Sequence, residues 1–277
     1  MISRRLPNSL IAGIILLLGC LLPAAVVWVW HGGHAPFIDI PNRYAPPSSA
    51  HPLGTDPFGR DLASYVLTGA FNTTVIAVIS VTLATITGTI LGLIGTQGGK
   101  RGWAVMSATD LGLAFPPILI AAMLVTLRGA SATGEILAIA LFGIPAQIRI
   151  TKQAAQSILV LDYISAARMA GLGPIAVTVR HILPNIAPIL IVHASTSLAL
   201  AILSEAGLSY LGLGAPPPQP DLGRALASYQ VHIFDHPFLV AAPGIAVMVL
   251  VLGFNLLGDG LRDLLERPFT RNEVHLP

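Results

Sequence analysis

Six long apolar segments separated by polar stretches organise the sequence. Each is close to the roughly 20 residues that an α-helix needs to cross a bilayer. They lie at residues 9–30, 72–95, 110–127, 134–150, 187–209 and 238–257. This pattern predicts an all-α, polytopic membrane protein with six transmembrane helices. No convincing small-residue cleavage site follows the first segment, so we expect a retained anchor rather than a signal peptide.

Composition agrees with a lipid environment, because 54% of the residues are hydrophobic and only 10% are charged. An ordinary soluble domain carries roughly 25% charged residues. The net charge of +2 does not indicate a nucleic-acid partner. The single cysteine, Cys20, excludes an internal disulfide and a cysteine-based metal cluster.

Lysine and arginine predict the orientation, since cytoplasmic loops are enriched in both. With both termini cytoplasmic, eleven of these residues lie inside and four outside. The inside set is Arg4, Arg5, Lys100, Arg101, Arg149, Lys152, Arg168, Arg180, Arg262, Arg267 and Arg271, and the outside set is Arg43, Arg60, Arg128 and Arg224. We therefore expect a multi-pass protein of the cell (inner) membrane.

The polar connections predict further local structure. Residues 31–71 are expected to fold on the outer surface, and residues 96–109 to form a cytoplasmic turn. Gly98, Gly99 and Lys100 do not complete the Gly-x-x-x-x-Gly-Lys-Ser/Thr phosphate loop, so the chain carries no ATP site of that kind. Pro116 and Pro117 fall inside the third apolar segment and should kink or break its helix.

The cytoplasmic segment at 163–185 reads as two short helices hinged at Gly171–Gly173. Asp162 suits an N-cap, and Gly171 suits the left-handed turn that ends a helix. Pro174 suits the first position of the next helix, and Pro184 is expected to end it. A polar hairpin between two membrane spans needs a partner.

This segment resembles the EAA motif of permease subunits in binding-protein-dependent ABC importers. Ala166, Ala167, Gly171, Leu183 and Pro184 match its spacing. Ser165 stands where the family usually has Glu, and His181 where the general pattern has Ile, although His-Ile-Leu-Pro is similar to peptide-type members. The resemblance implies that Asp162, Ser165 and the matching residues form a coupling helix that sits in a groove of an ATPase subunit.

Two further blocks resemble the peptide and nickel permeases of this family. His51-Pro-Leu-Gly-Thr-Asp-Pro-Phe-Gly-Arg-Asp61 is one, and the run from Ser204 to Gly223 is the other, with Tyr210 for Phe and Leu222 for Trp. The residues of the first block also permit two interpretations. Gly54, Gly59 and the charged side chains suit tight turns, whereas His51, Asp56 and Asp61 are conceivable metal ligands.

The resemblance implies the remaining assignments. The fold would be the transmembrane domain of a type I ABC importer, with an anchor and extracytoplasmic segment at 1–71, the transmembrane domain at 72–265 and a cytoplasmic tail at 266–277. The partners would be a homologous second permease, two ABC ATPase subunits or domains and an extracytoplasmic solute-binding protein. The chain would bind no cofactor, with Mg-ATP held by the ATPases. Peptides would be the substrate, with nickel chelates, glutathione or opines as alternatives.

A few polar residues within the spans are candidates for the substrate path. On the fifth segment His193, Ser197 and Ser204 fall within one helical face, but the neighbouring small residues equally suit close helix packing. Glu205 either lines the path or binds backbone donors of the outer loop. Asp110 is expected to lie at the N-terminus of the third span, with a proton relay as the alternative.

The residues support no chemical catalysis, since no Ser-His-Asp or paired-carboxylate arrangement has persuasive context. The chain is therefore expected to be a transport subunit and not an enzyme. An ion-coupled secondary carrier is the alternative from another class, but it predicts inverted repeats and several intramembrane charges. A membrane scaffold would leave the segment at 163–185 unexplained.

Overall fold

A computed structural model describes residues 6–266. In the described residues the fold consists of helices joined by turns and by two longer, largely irregular segments, one before the second long helix and one at residues 211–221. The helices are α1 (Asn8–His31), α2 (Leu62–Gly95), α3 (Lys100–Ala114), α4 (Pro117–Arg128), α5 (Ala132–Leu159), α6 (Asp162–Met169), α7 (Pro174–Val177), α8 (Leu183–Tyr210), α9 (Leu222–Tyr229) and α10 (Pro237–Glu266). Arg4, Arg5, Arg267, Arg271 and all but the first residue of the predicted 266–277 tail lie outside the described residues.

The hydrophobic pattern predicted six spans, and the described residues contain five or six, depending on how one bent helix pair is counted. Five stretches are long and apolar enough to cross a membrane: α1, α2, α5, α10, and the continuous stretch Pro174–Tyr210. The helices α3 and α4 supply a sixth if they are counted together, with a bend of 92° between them. Pro116 lies at the bend in an extended conformation, with φ −61° and ψ 134°. The predicted break is therefore confirmed.

Several predicted boundaries were wrong, including the end of the last segment, since α10 continues to Glu266 instead of residue 257. Residues 100–109 are helical rather than a turn, because α3 begins directly after Gly99. The helix α2 begins at Leu62, ten residues earlier than predicted, because the carboxylate of Asp61 caps it by accepting a hydrogen bond from the Ser64 amide at 2.7 Å. The helix α5 continues to Leu159 instead of residue 150.

Pro184 does not end a helix, which corrects another prediction. It lies in the first turn of α8, and a π-helical turn over Thr178–Ile182 joins α7 to α8. In that turn the amide of Leu183 donates to the carbonyl of Thr178, five residues earlier. The wider turn opens the backbone before the proline ring, so the ring fits without ending the helix.

Glycines allow the principal helices to pack closely. A Cβ at Gly88 or Gly92 of α2 would lie 2.6 Å from the side chains of Gln147 or Thr151 on α5. A Cβ at Gly13 of α1 would lie 2.6 Å from the α10 backbone. Close approach through small residues is the usual means of helix association in lipid, where the hydrophobic effect between helices is absent.

Candidate functional site

The hinge of the segment at 163–185 is a Schellman motif. The Leu172 amide donates to the Ala167 carbonyl at 3.1 Å, and the Gly171 amide donates to the Arg168 carbonyl at 3.0 Å. Gly171 has φ +88°, as predicted, whereas Gly173 has φ −69°. Pro174 is the first residue of α7, as predicted. The chain reversal therefore depends on one glycine.

A separate small core fixes this segment to the long helices. Ile164 of α6 and Val177 of α7 are fully buried, and they pack with Ala155 of α5 and with Ile182 and Ile186 before and within α8. The two halves of the segment also meet through Tyr163 and His181, whose rings lie 6.1 Å apart at 64°. The segment is thus tied to both α5 and α8.

Outside this core the segment exposes large apolar side chains. Met169 and Ile175 are 84% and 81% exposed, and Val160, at the end of α5 just before the segment, is 79% exposed. The predicted coupling residues Ser165, Ala166, Gly171 and Pro184 are exposed, whereas Ala167 and Leu183 are half-buried. Exposed apolar side chains on a segment that is fixed by a buried core are typical of a protein contact surface.

Asp162 does not cap α6, so that prediction was wrong by one position. Leu161 occupies the cap position, Asp162 is the first residue of the helix, and no side chain makes a capping hydrogen bond. A carboxylate in the first turn is still favoured by the helix dipole.

The predicted stripe on α8 lines a cavity between α2, α3, α5 and α8. His193, Ser197 and Ser204 are half-buried and border this cavity of about 170 Å³. His193 Nδ1 forms a hydrogen bond of 2.7 Å with Gln147 Oε1 of α5, and Gln147 Nε2 lies 3.3 Å from the Thr89 hydroxyl of α2.

Two small residues of α8, Ser195 and Ala199, lie on a different face and are buried against neighbouring helices. Ala201 is also buried but borders the cavity. Both interpretations of this helix therefore apply, with the packing face centred on Ser195 and Ala199. Sequence reasoning missed Gln147, which is buried; its signal was a polar residue within an apolar span.

Glu205 does not border that cavity. It is fully buried, and its Oε1 accepts a hydrogen bond of 3.0 Å from the Thr73 hydroxyl of α2. Two other buried acids, Glu135 of α5 and Asp221 before α9, lie beside it, and one oxygen from each of the three falls within 4.8 Å of the others. Sequence reasoning did not predict this cluster, which is why it assigned Glu205 to the path or to backbone donors.

In the outer segment the observed contacts favour the turn interpretation over a metal site. Buried Asp56 accepts hydrogen bonds from the Phe58 and Arg60 amides, the Arg60 guanidinium and the Tyr229 hydroxyl. Both carboxylate oxygens are used. Gly54 and Gly59 adopt the positive φ angles that the turns require.

Burial and the neighbouring Asp56 carboxylate raise the pKa of the Tyr229 phenol. For Arg60, burial alone would lower the pKa of the guanidinium, but its hydrogen bond and ion pair with Asp56 raise it. Both groups therefore hold their protons at neutral pH, and the outer segment is fixed to α9.

Asp110 is not at a helix N-terminus, which corrects that prediction. It lies within α3 and forms an exposed ion pair of 2.7 Å with Arg149 of α5. The pair connects two helices whose ridges also meet at Gly112 and Pro145.

Known proteins resemble this chain in sequence or in fold. The chain is 40% identical over 215 residues to the di/tripeptide transport system permease protein of Pseudomonas aeruginosa, covering 77% of this chain and 71% of the relative. It is 38% identical to the glutathione transport system permease protein of Pectobacterium atrosepticum, covering 79% and 73%. The probable D,D-dipeptide transport system permease protein of Escherichia coli is 37% identical, covering 86% and 80%.

Among solved structures, a chain of an inward-facing methionine ABC transporter superposes with a TM-score of 0.62. Its sequence identity is 18%, and the match covers 73% of this chain and 97% of that one. This likeness establishes that the two chains share an all-α fold. The family model for binding-protein-dependent transport system inner membrane components matches residues 85–271. With relatives near 40% identity over most of their length, the chain belongs to this family of ABC importer permeases.

Proposed function

We propose that this permease forms half of the translocation path of an ATP-driven importer for dipeptides or oligopeptides. A homologous, non-identical permease would supply the other half. Membership of the family makes the chain a transport component and not an enzyme, with ATPase and solute-binding partners. The ion-coupled carrier and scaffold alternatives do not fit a binding-protein-dependent family.

The observation that carries the proposal is the hinged segment at 163–185. It combines a fixed geometry at Gly171 with exposed apolar side chains at Met169 and Ile175. We assign it as the surface that docks on an ATPase, together with Asp162, Ser165, Ala166, Ala167, Leu183 and Pro184. Docking here would pass ATP-driven closure to α5 and α8 as a rigid-body movement. Mg-ATP is consumed by the partners.

The orientation is part of the proposal. Placing the docking surface in the cytoplasm puts both termini inside and agrees with the excess of lysine and arginine on that side. The outer segment and the Glu205 cluster then lie on the extracytoplasmic side. The proposed domain limits at residues 71/72 and 265/266 follow the same layout, although the family match begins at residue 85, inside α2.

Peptide is the proposed substrate because relatives near 40% identity are named for di- and tripeptides or D,D-dipeptides. Glutathione is itself a tripeptide, and a permease named for it is 38% identical. The cavity bordered by His193, Ser197 and Ser204 supports their assignment to the substrate path, because it offers hydroxyl and imidazole groups that can bind peptide amides.

Two measurements separate the parts of this proposal. In proteoliposomes that contain the complete complex, a labelled dipeptide should accumulate only with ATP and the cognate binding protein. Uptake without ATP, or driven by an ion gradient, would refute the importer mechanism. Calorimetry of the isolated binding protein with dipeptide, glutathione and a nickel chelate tests the substrate class; a nickel chelate as the tight ligand would refute the peptide assignment alone.

A further inference from the structure

Three buried acids from distant parts of the sequence meet at one end of the helix bundle. Glu135 lies in the first turn of α5, Glu205 near the end of α8, and Asp221 at the N-cap of α9. Their side chains are 1%, 0% and 2% exposed. One oxygen from each lies within 4.8 Å of the other two. The docking surface proposed above uses none of the three, and none of them borders the cavity assigned to the substrate path.

Several oxygens of this cluster have no hydrogen-bond partner in the described part of the chain. They are both carboxylate oxygens of Glu135 and Oε2 of Glu205. The hydroxyl of Ser209, which is 1% exposed, is also without a partner. A Cβ at Gly214 would clash with this hydroxyl and lie 3.0 Å from Glu135 Oε1, so both oxygens border the same point. A buried polar atom without a partner is costly unless a ligand satisfies it.

The charges of the cluster also need a counter-ion. Three carboxylates carry a formal charge of −3, and Arg224 at the start of α9 contributes +1. The Nη1 of Arg224 is itself buried and has no hydrogen-bond partner. The remaining charge of −2 lies in a buried site, where isolated charges are expensive. One divalent cation would balance it.

We propose that Glu135, Glu205 and Asp221 bind one Ca²⁺ ion. The donors are all oxygen, which selects a hard cation. At Ca–O distances of about 2.3–2.6 Å, ligands on opposite sides of the ion lie about 4.6–5.2 Å apart, which accommodates the observed separation of up to 4.8 Å. With the hydroxyls of Thr73 and Ser209, the site offers enough oxygens for the six to eight ligands of Ca²⁺. Mg²⁺ requires shorter distances and retains water.

The ion would join four elements that already meet through packing and a few side-chain hydrogen bonds, such as that from Thr73 to Glu205. Thr73 belongs to α2, Glu135 to α5, Glu205 to α8 and Asp221 to α9. Binding of Ca²⁺ would therefore fix the extracytoplasmic ends of these helices relative to one another. This role goes beyond the proposed transport function, and its test does not depend on identification of the transported substrate.

The test is the calcium content of the purified complete complex. The complex is equilibrated with CaCl₂ at about 1 mM, a concentration in the range of extracellular calcium sites, and free ion is then removed. Mass spectrometry should find one more Ca²⁺ in the wild type than in Glu135→Gln. Asp110→Asn is the matched control, a carboxylate-to-amide change on an exposed ion pair, and should keep the wild-type content. Equal calcium in wild type and Glu135→Gln would overturn the proposal.

Thermal unfolding of the wild-type complex provides a second measurement that does not rely on a variant's folding. Addition of CaCl₂ to complex treated with chelator should raise the unfolding temperature, and an equal concentration of MgCl₂ should raise it less. The shift should grow with ion concentration, because ligand stabilises the folded state by mass action. No calcium-dependent shift would refute the site and indicate that protons neutralise the acids.

Discussion

Replacement of Gly171 by alanine should weaken the docking hinge through backbone conformation alone. Gly171 has φ +88°, and a Cβ built there meets no atom within 4 Å. The cost therefore does not come from a clash with a neighbouring residue. An L-residue in the left-handed region costs about 1–2 kcal/mol. At about 1.4 kcal/mol for each factor of ten, the population of correctly folded hinge falls about 5- to 30-fold relative to open forms.

Gly173 provides the matched control, because its Cβ position is equally open but its φ is −69°. Alanine fits that conformation. Because alanine has less conformational freedom than glycine in the unfolded chain, the substitution stabilises the folded state by about 0.4–1 kcal/mol. Gly173→Ala should therefore leave the hinge intact or firmer.

The assay for both variants has two parts. Hydrogen exchange of the Gly171 and Leu172 amides reports hinge opening, since both amides are bonded in the Schellman motif. The ratio of substrate-stimulated to basal ATP hydrolysis in the reconstituted complex reports coupling. Gly171→Ala should speed exchange and lower the ratio, whereas Gly173→Ala should do neither. Similar behaviour of the two variants would refute the argument from φ.

Three further substitutions test the packing and the polar contacts. Tyr229→Phe removes the hydroxyl that donates to buried Asp56 at 2.9 Å. It should lower the free energy of unfolding, measured by thermal unfolding, by about 1.5–3 kcal/mol. Gly88→Val places side-chain atoms where even a Cβ lies 2.6 Å from Gln147, and should reduce the yield of folded monodisperse protein. Gln147→Leu leaves His193 Nδ1 without its partner, and should change the KM for peptide uptake more than the yield of folded protein.

The first two of these substitutions have controls elsewhere in the chain. Tyr210→Phe removes a hydroxyl on an exposed side chain that bonds to Gln230, and should change unfolding little. Gly19→Ala adds a Cβ that meets nothing within 4 Å and should be tolerated. If Tyr210→Phe lowers the unfolding temperature as much as Tyr229→Phe, burial of the Tyr229 hydroxyl is not the cause of its effect. If Gly19→Ala reduces the yield of folded protein as much as Gly88→Val, close helix packing at Gly88 is not the cause. A Gln147→Leu protein that transports with unchanged KM would remove His193 from the proposed path.

Features set by neighbouring residues could be predicted from the sequence. The hinge glycine, the proline at the start of α7 and the break at Pro116 all follow from backbone rules that act within a few residues. The prediction for Pro184 was wrong because no local rule predicts the π-helical turn before it, whose flanking residues Val177 and Ile182 pack into the small core. The start of α2 was misplaced because hydropathy located the apolar stretch but not the Asp61 cap.

The acidic cluster could not be predicted in this way, because its members lie 70 and 16 residues apart and share no local pattern. An acid inside an apolar span indicates a buried polar contact, and Glu135 is such an acid. Which residues such an acid contacts depends on how α5, α8 and α9 pack. Sequence reasoning could therefore single out Glu205 as unusual without finding what surrounds it.

The helices α5 and α8 connect the docking segment, the cavity beside His193 and the acidic cluster. At one end α5 and α8 are joined by the docking segment, whose core includes Ala155 and Ile186. In the middle they are joined by the bond between Gln147 and His193, and at the other end by the acids that include Glu205. A movement of the docking surface must therefore either carry the acidic end with it or bend the helices between. If Ca²⁺ fixes the acidic end, the two helices should bend at Pro145 of α5 and Pro188 of α8. A proline lacks the backbone hydrogen bond that resists bending of a helix. Calcium should then change the rate of substrate-stimulated ATP hydrolysis in the wild type and not in Glu135→Gln.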